Sequence, residues 1–156
     1  MSETRGALAG RRIVVGVTGS IAAYKAVSLV RLLAERGAIV DVALTPAATR
    51  FVTPLTFASL THRPVVDDVM ALDGDQQIAH VELAEGADAI VIAPATANVL
   101  AQLAAGLVND SVTAIACASR APVVLAPAMS FRESGRSKTS FISTASSSAR
   151  VPSITR

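Results

Sequence analysis

The segment of residues 12–44 constrains the fold more than any other part of this sequence. Arg12–Val17 is an apolar run of strand length, residues 21–36 repeat apolar side chains at helix spacing, and Ile39–Leu44 is a second apolar run. Gly37 stands where a glycine commonly ends a helix. A strand, a helix and a strand with short links form a βαβ unit, whose crossover is right-handed. The segment therefore predicts two parallel strands joined by one helix.

Strand-length and helical stretches continue to alternate along the rest of the chain. The patterns predict two short helical pieces, a short strand, a polar loop, a core strand, two helices and a last core strand, at residues 47–52, 54–60, 65–69, 72–77, 89–93, 96–105, 109–119 and 122–126. This alternation predicts an α/β fold with a parallel sheet.

Three regions of the chain differ in composition. Residues 1–11 form a polar N-terminal extension, residues 12–129 carry the alternating pattern, and residues 130–156 are rich in Ser, Thr and Arg without periodicity. A chain of 156 residues is long enough for one domain with a substantial core. We expect residues 12–129 to form that domain and residues 130–156 to be disordered.

Composition argues against several classes of function. A formal net charge of +2, without a basic stripe interleaved with aromatic residues, is not typical of nucleic-acid binding. No apolar run approaches the roughly 20 residues of a membrane span, and no secretory signal stands at the N-terminus. The single cysteine, Cys117, excludes an internal disulfide and is expected to be a small buried side chain. The single cysteine also agrees with a cytoplasmic protein. No residues have metal-ligand spacing, so we expect no metal site.

The turn after the first strand has the features of a phosphate loop. Residues 16–20 read Gly-Val-Thr-Gly-Ser, where Gly19 permits close approach and Ser20 can cap the helix or donate a hydroxyl. The motif is neither G-x-G-x-x-G nor a P-loop. Asp41 lies too early in the second strand to bind a ribose, and Thr45 stands at its tip. The loop therefore favours a mononucleotide over NAD, the alternative being a plain tight turn.

Residues 80–98 place polar side chains around the core strand at residues 89–93. Ligands of open α/β sheets bind beyond the carboxyl ends of strands, where this segment carries Pro-Ala-Thr-Ala-Asn. His80 is predicted to enter the strand from a preceding loop and to exchange protons or hold a carboxylate. The alternatives are a surface histidine at His80 and helix caps at Thr96, Asn98 and Asp110.

Together these motifs resemble one family, the homo-oligomeric flavin-containing cysteine decarboxylases. The resemblance is greatest to the phosphopantothenoylcysteine decarboxylases of coenzyme A biosynthesis and covers residues 12–129. The matching segments are residues 15–26, 44–60, 78–98, 106–113 and 121–129.

This resemblance implies a flavodoxin-like or Rossmann-like three-layer sandwich, bound FMN, and specific site residues. His80 would be the catalytic histidine. The residues implied to bind FMN are Gly19, Ser20, Ile21, Thr45, Thr96, Ala97, Asn98, Asp110 and Thr113. Ala128 and Met129 would contact the substrate.

The family reaction converts 4′-phosphopantothenoylcysteine to 4′-phosphopantetheine with loss of carbon dioxide. The resemblance also implies a homotrimer or higher homo-oligomer with FMN at a subunit interface. Three alternatives remain open: a non-catalytic FMN-binding regulatory protein, a peptidyl-cysteine decarboxylase and a flavin prenyltransferase.

The sequence departs from the family pattern after Met129. The family motif Pro-x-Met-Asn-x-x-Met-Trp has Ser130 in place of the asparagine and lacks the Met-Trp pair. The family's later flap cysteine has no counterpart, and Cys117 stands elsewhere. We interpret the change as a truncated or frame-shifted coding sequence, and expect FMN binding with slow decarboxylation.

Overall fold

A single sheet organises the computed structural model, which describes residues 6–67, 74–128 and 143–144. Its strands are β1 (Arg12–Val17), β2 (Ile39–Leu44), β3 (Val65–Val66), β4 (Ala89–Ala95), β5 (Val123–Pro127) and β6 (Ser143–Thr144). The strand order is β3-β2-β1-β4-β5-β6. The first five strands are mutually parallel, and β6 pairs antiparallel with β5. The predicted parallel α/β sheet is confirmed.

Helices cover both faces of this sheet. They are α1 (Ala23–Glu35), α2 (Pro54–Thr61), α3 (Gly74–Gly86), α4 (Ala97–Ala105) and α5 (Ser111–Ala118). Val15 of β1 is fully buried in the cluster that contains Val30 of α1 and Phe57 of α2. Its neighbour Val14 points the other way, into a cluster with Leu83 of α3 and Ile115 of α5. Alternate residues of one strand thus feed two cores, which gives the three-layer sandwich.

Several predicted boundaries agree with the structure. The runs Arg12–Val17 and Ile39–Leu44 are strands at the predicted bounds. Gly37 follows α1 with φ of 88°, a left-handed conformation that favours glycine.

In the segment predicted to be disordered, Ser143–Thr144 forms β6, and the other residues of 130–156 lie outside the described part.

Other boundaries were wrong. The polar loop predicted at residues 72–77 is helical from Gly74 onward, and residues 72 and 73 lie outside the described residues. The strand predicted at 89–93 runs on to Ala95, and the helix predicted at 109–119 begins only at Ser111. The short strand predicted at 65–69 is described as Val65–Val66, and residues 68 and 69 lie outside the described residues.

A buried carboxylate ties the amino halves of the central strands to the end of α2. Asp41 of β2 is 2% exposed. It accepts a hydrogen bond from Nε of Arg12 at 2.7 Å, and Nε of Arg63 donates to its other oxygen. A buried charge of this kind is stable only when it is paired.

Replacing Asp41 with Asn should lower the free energy of unfolding by about 3 kcal/mol, because both guanidinium groups lose their counter-charge. Urea denaturation measures the loss. The matched control is Glu35→Gln, which breaks the exposed pair between Arg31 and Glu35 and should cost less than about 1 kcal/mol. Equal losses in the two variants would contradict the structural importance of Asp41.

Candidate functional site

The candidate site lies where the chain leaves β1 and β4. These two strands are parallel neighbours, paired from Ile13 with Ala89 to Gly16 with Ile92. The helix that follows β1 packs on one face of the sheet, whereas the helix that follows β4 packs on the other. The two loops therefore diverge and leave a crevice at the carboxyl edge, the usual ligand position in such sheets.

The loop after β1 presents backbone N–H groups at the start of α1. Within the described residues, the N–H groups of Gly19, Ser20 and Ile21 have no protein acceptor. Ser20 was predicted to cap α1, but Ala22 holds the cap position, and the Ser20 hydroxyl accepts from the N–H of Ala22 at 3.0 Å. Ser20 therefore shapes the turn, and its three neighbouring donors combine with the helix dipole to favour an anion.

The loop after β2 packs directly against this turn. The N–H of Thr45 donates to the carbonyl of Val17 at 3.0 Å, and Thr45 Oγ1 accepts from the N–H of Ala48 at 3.2 Å. Thr45 is 4% exposed. Its hydroxyl thus stabilises the turn that begins at Ala48, beside the predicted phosphate loop.

The loop after β4 presents a second set of donors. Thr96 is the N-cap of α4, and its Oγ1 accepts from the N–H of Val99 at 3.5 Å, so the capping alternative is confirmed. The N–H of Thr96 donates to Oγ1 of Thr18. In the described part of the chain, the N–H groups of Ala97 and Asn98 have no protein acceptor. These two exposed residues begin α4 and can donate to a ligand.

Thr18 is a site residue that the sequence analysis did not single out. It is fully buried, and its hydroxyl joins the loop after β1 to the loop after β4. The available signal was its position, since a small polar residue followed directly on a buried apolar strand.

Asp110 and Thr113 lie beside β2 and β3. They form a capping box at the start of α5, with the N–H of Thr113 donating to Oδ1 of Asp110 at 2.9 Å. Between them, Ser111 Oγ donates to the carbonyl of Leu44 at 2.9 Å and to that of Val66 at 3.4 Å. The contacts of Ser111 place the start of α5 at the carboxyl ends of β2 and β3. The capping box confirms the capping alternative for Asp110.

A cleft of about 290 Å³ opens between α1 and the ends of β4 and β5. Its described lining is mostly alanine and proline, including Pro94 and Ala128, and Lys25 is the charged residue among the described lining residues. Lys25 Nζ lies 5.9 Å from the centre of the Tyr24 ring. The N–H of Ala128 donates to the carbonyl of Ala95 at 3.0 Å, which fixes the cleft wall. Met129, predicted beside Ala128, lies outside the described residues.

His80 does not enter β4 from a loop, as was predicted. It lies in α3, six residues before the helix ends at Gly86, about 9 Å along the axis. The error arose because the prediction ended the polar segment before a short helical turn, whereas the helix is continuous. His80 is half-buried and lies midway between Gly74 and Gly86, the two ends of α3.

Cys117 also differs from its prediction. It is exposed near the end of α5 rather than buried. Partial desolvation of the thiol by neighbouring atoms nevertheless raises the pKa of Cys117. Among the residues that the structure describes, no cluster of His, Cys, Asp or Glu could hold a metal ion, and no helix is long and apolar enough to cross a membrane.

Gly19→Ala should destabilise the protein by about 1–3 kcal/mol, because a Cβ at Gly19 would lie 2.9 Å from the carbonyl carbon of Ala47. Urea denaturation of the cofactor-free protein measures this effect. Gly6→Ala is the control, since a Cβ there meets nothing within 4 Å. If both variants unfold at the wild-type urea concentration, the close approach of the two loops is refuted.

This chain is similar in sequence to a known protein family and to proteins of coenzyme A biosynthesis. The Flavoprotein family matches residues 1–146 of the chain. The coenzyme A biosynthesis bifunctional protein CoaBC of Vibrio cholerae is 48% identical over 122 residues, which are 78% of this chain and 31% of that protein. CoaBC of Escherichia coli is also 48% identical, over 78% of this chain and 30% of that protein. The chain thus spans about a third of the length of these curated relatives.

Two solved structures that resemble this chain in fold are named decarboxylases. The FMN-dependent cysteine decarboxylase TvaF from thioviridamide biosynthesis matches with a TM-score of 0.70 and 32% identity, over 76% of this chain and 74% of that chain. A PPC decarboxylase mutant complexed with pantothenoylaminoethenethiol matches with a TM-score of 0.64 and 30% identity, over 78% of this chain and 68% of that chain.

Proposed function

The chain belongs to the Flavoprotein family, and from that premise we propose that it catalyses the FMN-dependent decarboxylation of 4′-phosphopantothenoylcysteine in coenzyme A biosynthesis. The observation that carries the proposal is the pair of N–H clusters on the two sides of the crevice between β1 and β4. Identity of 48% to the CoaBC proteins over 122 residues supports the same reaction. We assign the activity to the cytoplasm.

The residues at the carboxyl edge fit FMN. Its phosphate is a dianion, and the residues Gly19, Ser20 and Ile21, whose N–H groups have no protein acceptor among the described residues, directly precede the positive end of α1. The N–H groups of Ala97 and Asn98 are available to the carbonyl oxygens and ring nitrogens of the flavin. Thr45, Asp110 and Thr113 are proposed as further FMN contacts near these loops. Their contribution should be smaller, because their polar groups already make hydrogen bonds within the protein.

The cleft beside α1 suits the substrate. Its apolar walls can take the pantothenoyl arm, and Lys25 can neutralise one anionic group of a substrate that carries a phosphate and a carboxylate. Ala128, fixed by its bond to Ala95, borders the cleft on the side of β5. We propose Met129 as the next contact along the chain.

Bound FMN would supply the redox chemistry, taking two electrons from the thiol-bearing carbon before carbon dioxide leaves and returning them afterwards. The chain's own residues hold the phosphate, orient the ring and exclude water. His80 is the proposed group that handles a proton. The redox step itself therefore requires no metal ion from the protein.

Because His80 lies in the middle of α3 rather than in the loops after β1 and β4, we propose that it serves the site of a neighbouring copy. The proposed assembly is a homotrimer or a higher homo-oligomer. Large apolar side chains that are exposed in the described part of the chain support it: Ile21 (77%), Phe51 (50%), Leu55 (74%), Leu107 (52%) and Val108 (49%). Such side chains are available for apolar contacts between copies.

A second candidate function is FMN binding without turnover. Ser130 stands where the resemblance places an asparagine in the substrate loop, and this substitution favours slow catalysis or none. The N–H clusters that fit FMN are unaffected by it. Carbon dioxide release per bound FMN separates the two functions.

Ser20→Asp should weaken FMN binding at least about a hundredfold, because a carboxylate would stand against the phosphate dianion. The same carboxylate is favourable near the start of a helix, so the fold should be retained. Fluorescence quenching of added FMN measures the dissociation constant. Ser20→Asn is the control of equal size and should bind FMN within a few-fold of wild type. Equal affinity of the two variants for FMN would contradict phosphate binding by this loop.

His80→Asn should retain FMN and lose carbon dioxide release from 4′-phosphopantothenoylcysteine by about 10²–10⁴-fold, the usual contribution of a general acid–base group. The role in a neighbouring copy is checked by mixing this variant with Ser20→Asp before refolding together. Mixed assemblies then contain sites with an intact FMN loop and an intact His80. We expect carbon dioxide release from the mixture and from neither variant alone. If the mixture releases none, His80 acts on FMN bound by its own chain.

A further inference from the structure

Thr18 makes two hydrogen bonds with one hydroxyl at the point where the sheet opens. Its Oγ1 donates to the carbonyl of Pro94 at 2.6 Å and accepts from the N–H of Thr96 at 3.1 Å. Thr18 is fully buried, and Pro94 is buried as well. The hydroxyl is therefore both donor and acceptor, in a place where water does not substitute for it.

These bonds connect the two segments that carry the N–H clusters. On one side, Thr18 is followed directly by Gly19, Ser20 and Ile21. On the other side, Thr96 is followed by Ala97. Among the described residues, no other side-chain hydrogen bond joins residues 18–22 to residues 94–98. The relative position of the two clusters thus depends on this hydroxyl more than on any other side chain.

Thr96 also fixes the start of α4. Its Oγ1 is engaged with the N–H of Val99, and its own N–H is engaged with Thr18. These two bonds hold the first residue before α4, and the N–H groups of Ala97 and Asn98 follow directly from it. Preorganised donors of this kind bind a ligand without an ordering cost.

We propose that Thr18 is a positioning residue for FMN, which sets the distance and orientation between the phosphate-binding loop and the flavin-binding loop. This inference rests on the proposed function. Thr18 does not itself touch the cofactor in the proposal; it acts through the N–H groups of Gly19–Ile21 and of Ala97 and Asn98.

The test compares variants that differ in the hydroxyl alone. Thr18→Val keeps the shape of the side chain and removes both bonds, leaving the Pro94 carbonyl and the Thr96 N–H without partners. We expect its FMN dissociation constant to rise about tenfold or more, with a shifted visible absorption spectrum of the bound flavin. Thr18→Ser keeps the hydroxyl and should bind FMN within about twofold of wild type with an unshifted spectrum.

Ser119 offers a matched control at the opposite edge of the sheet. Its Oγ donates to the carbonyl of Ala84 at 2.6 Å and accepts from the N–H of Ala121 at 3.1 Å, so it bridges two segments just as Thr18 does. Because Ser119 is only part-buried, Ser119→Ala should lower thermal stability less than Thr18→Val does, and it should leave both the FMN dissociation constant and the flavin spectrum unchanged. A loss of FMN that follows stability alone in all variants would overturn the positioning role.

The outcomes separate this inference from the proposed function. If wild type binds no FMN, the proposed function fails and the inference fails with it. If wild type binds FMN and Thr18→Val binds it equally with the same spectrum, the inference alone is overturned. Should Thr18→Val not fold, Thr18→Ser and Thr18→Ala form a second pair that differs by one oxygen atom. Weaker binding and a shifted spectrum only in the alanine variant support the proposal, and identical behaviour of the pair refutes it.

Discussion

The pairing of β1 between β2 and β4 is the constraint on which the rest of this structure depends. Val14, Val15 and Val17 of β1 are at most 1% exposed, so this strand is buried on both faces. A strand of this kind can only lie inside a sheet covered by helices. Because its two neighbours are parallel to it, their carboxyl ends meet at one edge, and the helices that follow β1 and β4 leave toward opposite faces. The crevice and its contents follow from that arrangement.

What the sequence could predict was what burial dictates. The runs Arg12–Val17 and Ile39–Leu44 are short, apolar and of strand length, which is typical of a strand buried on both faces of a sheet. Their bounds were therefore predicted without error. The stretch from Gly74 into α3 has a polar, non-periodic pattern, so periodicity did not predict its helical state. Cys117 was wrongly placed because α5 is short and its last turn leaves the core.

At the candidate site, polar side chains were harder to interpret than backbone. Thr45, Thr96, Asp110 and Thr113 were all predicted as FMN contacts, and each has a hydroxyl or carboxylate bonded to a nearby N–H group. Ser, Thr and Asp are common both at ligand sites and at helix caps, so residue type alone does not separate the two roles. In the described part of the chain, the backbone N–H groups of Gly19–Ile21, Ala97 and Asn98 have no protein acceptor, and residue type does not reveal such groups. That is why the loops could be located from the sequence, whereas the connection through Thr18 could not.

The site of one chain contains donors for a cofactor and a cleft for a substrate, but the proposed proton-handling group is in a different part of the fold. His80 lies in α3, whose C-terminal end precedes the amino end of β4, whereas the N–H clusters follow the carboxyl ends of β1 and β4. The packing of α3 against α5 holds His80 within the helical layer of its own chain. The proposed role of His80 therefore places it in the site of a neighbouring copy, and the exposed Ile21, Leu55 and Leu107 are apolar side chains available for contact with that copy. Oligomerisation in this protein would accordingly be a requirement of the chemistry rather than an addition to a finished site.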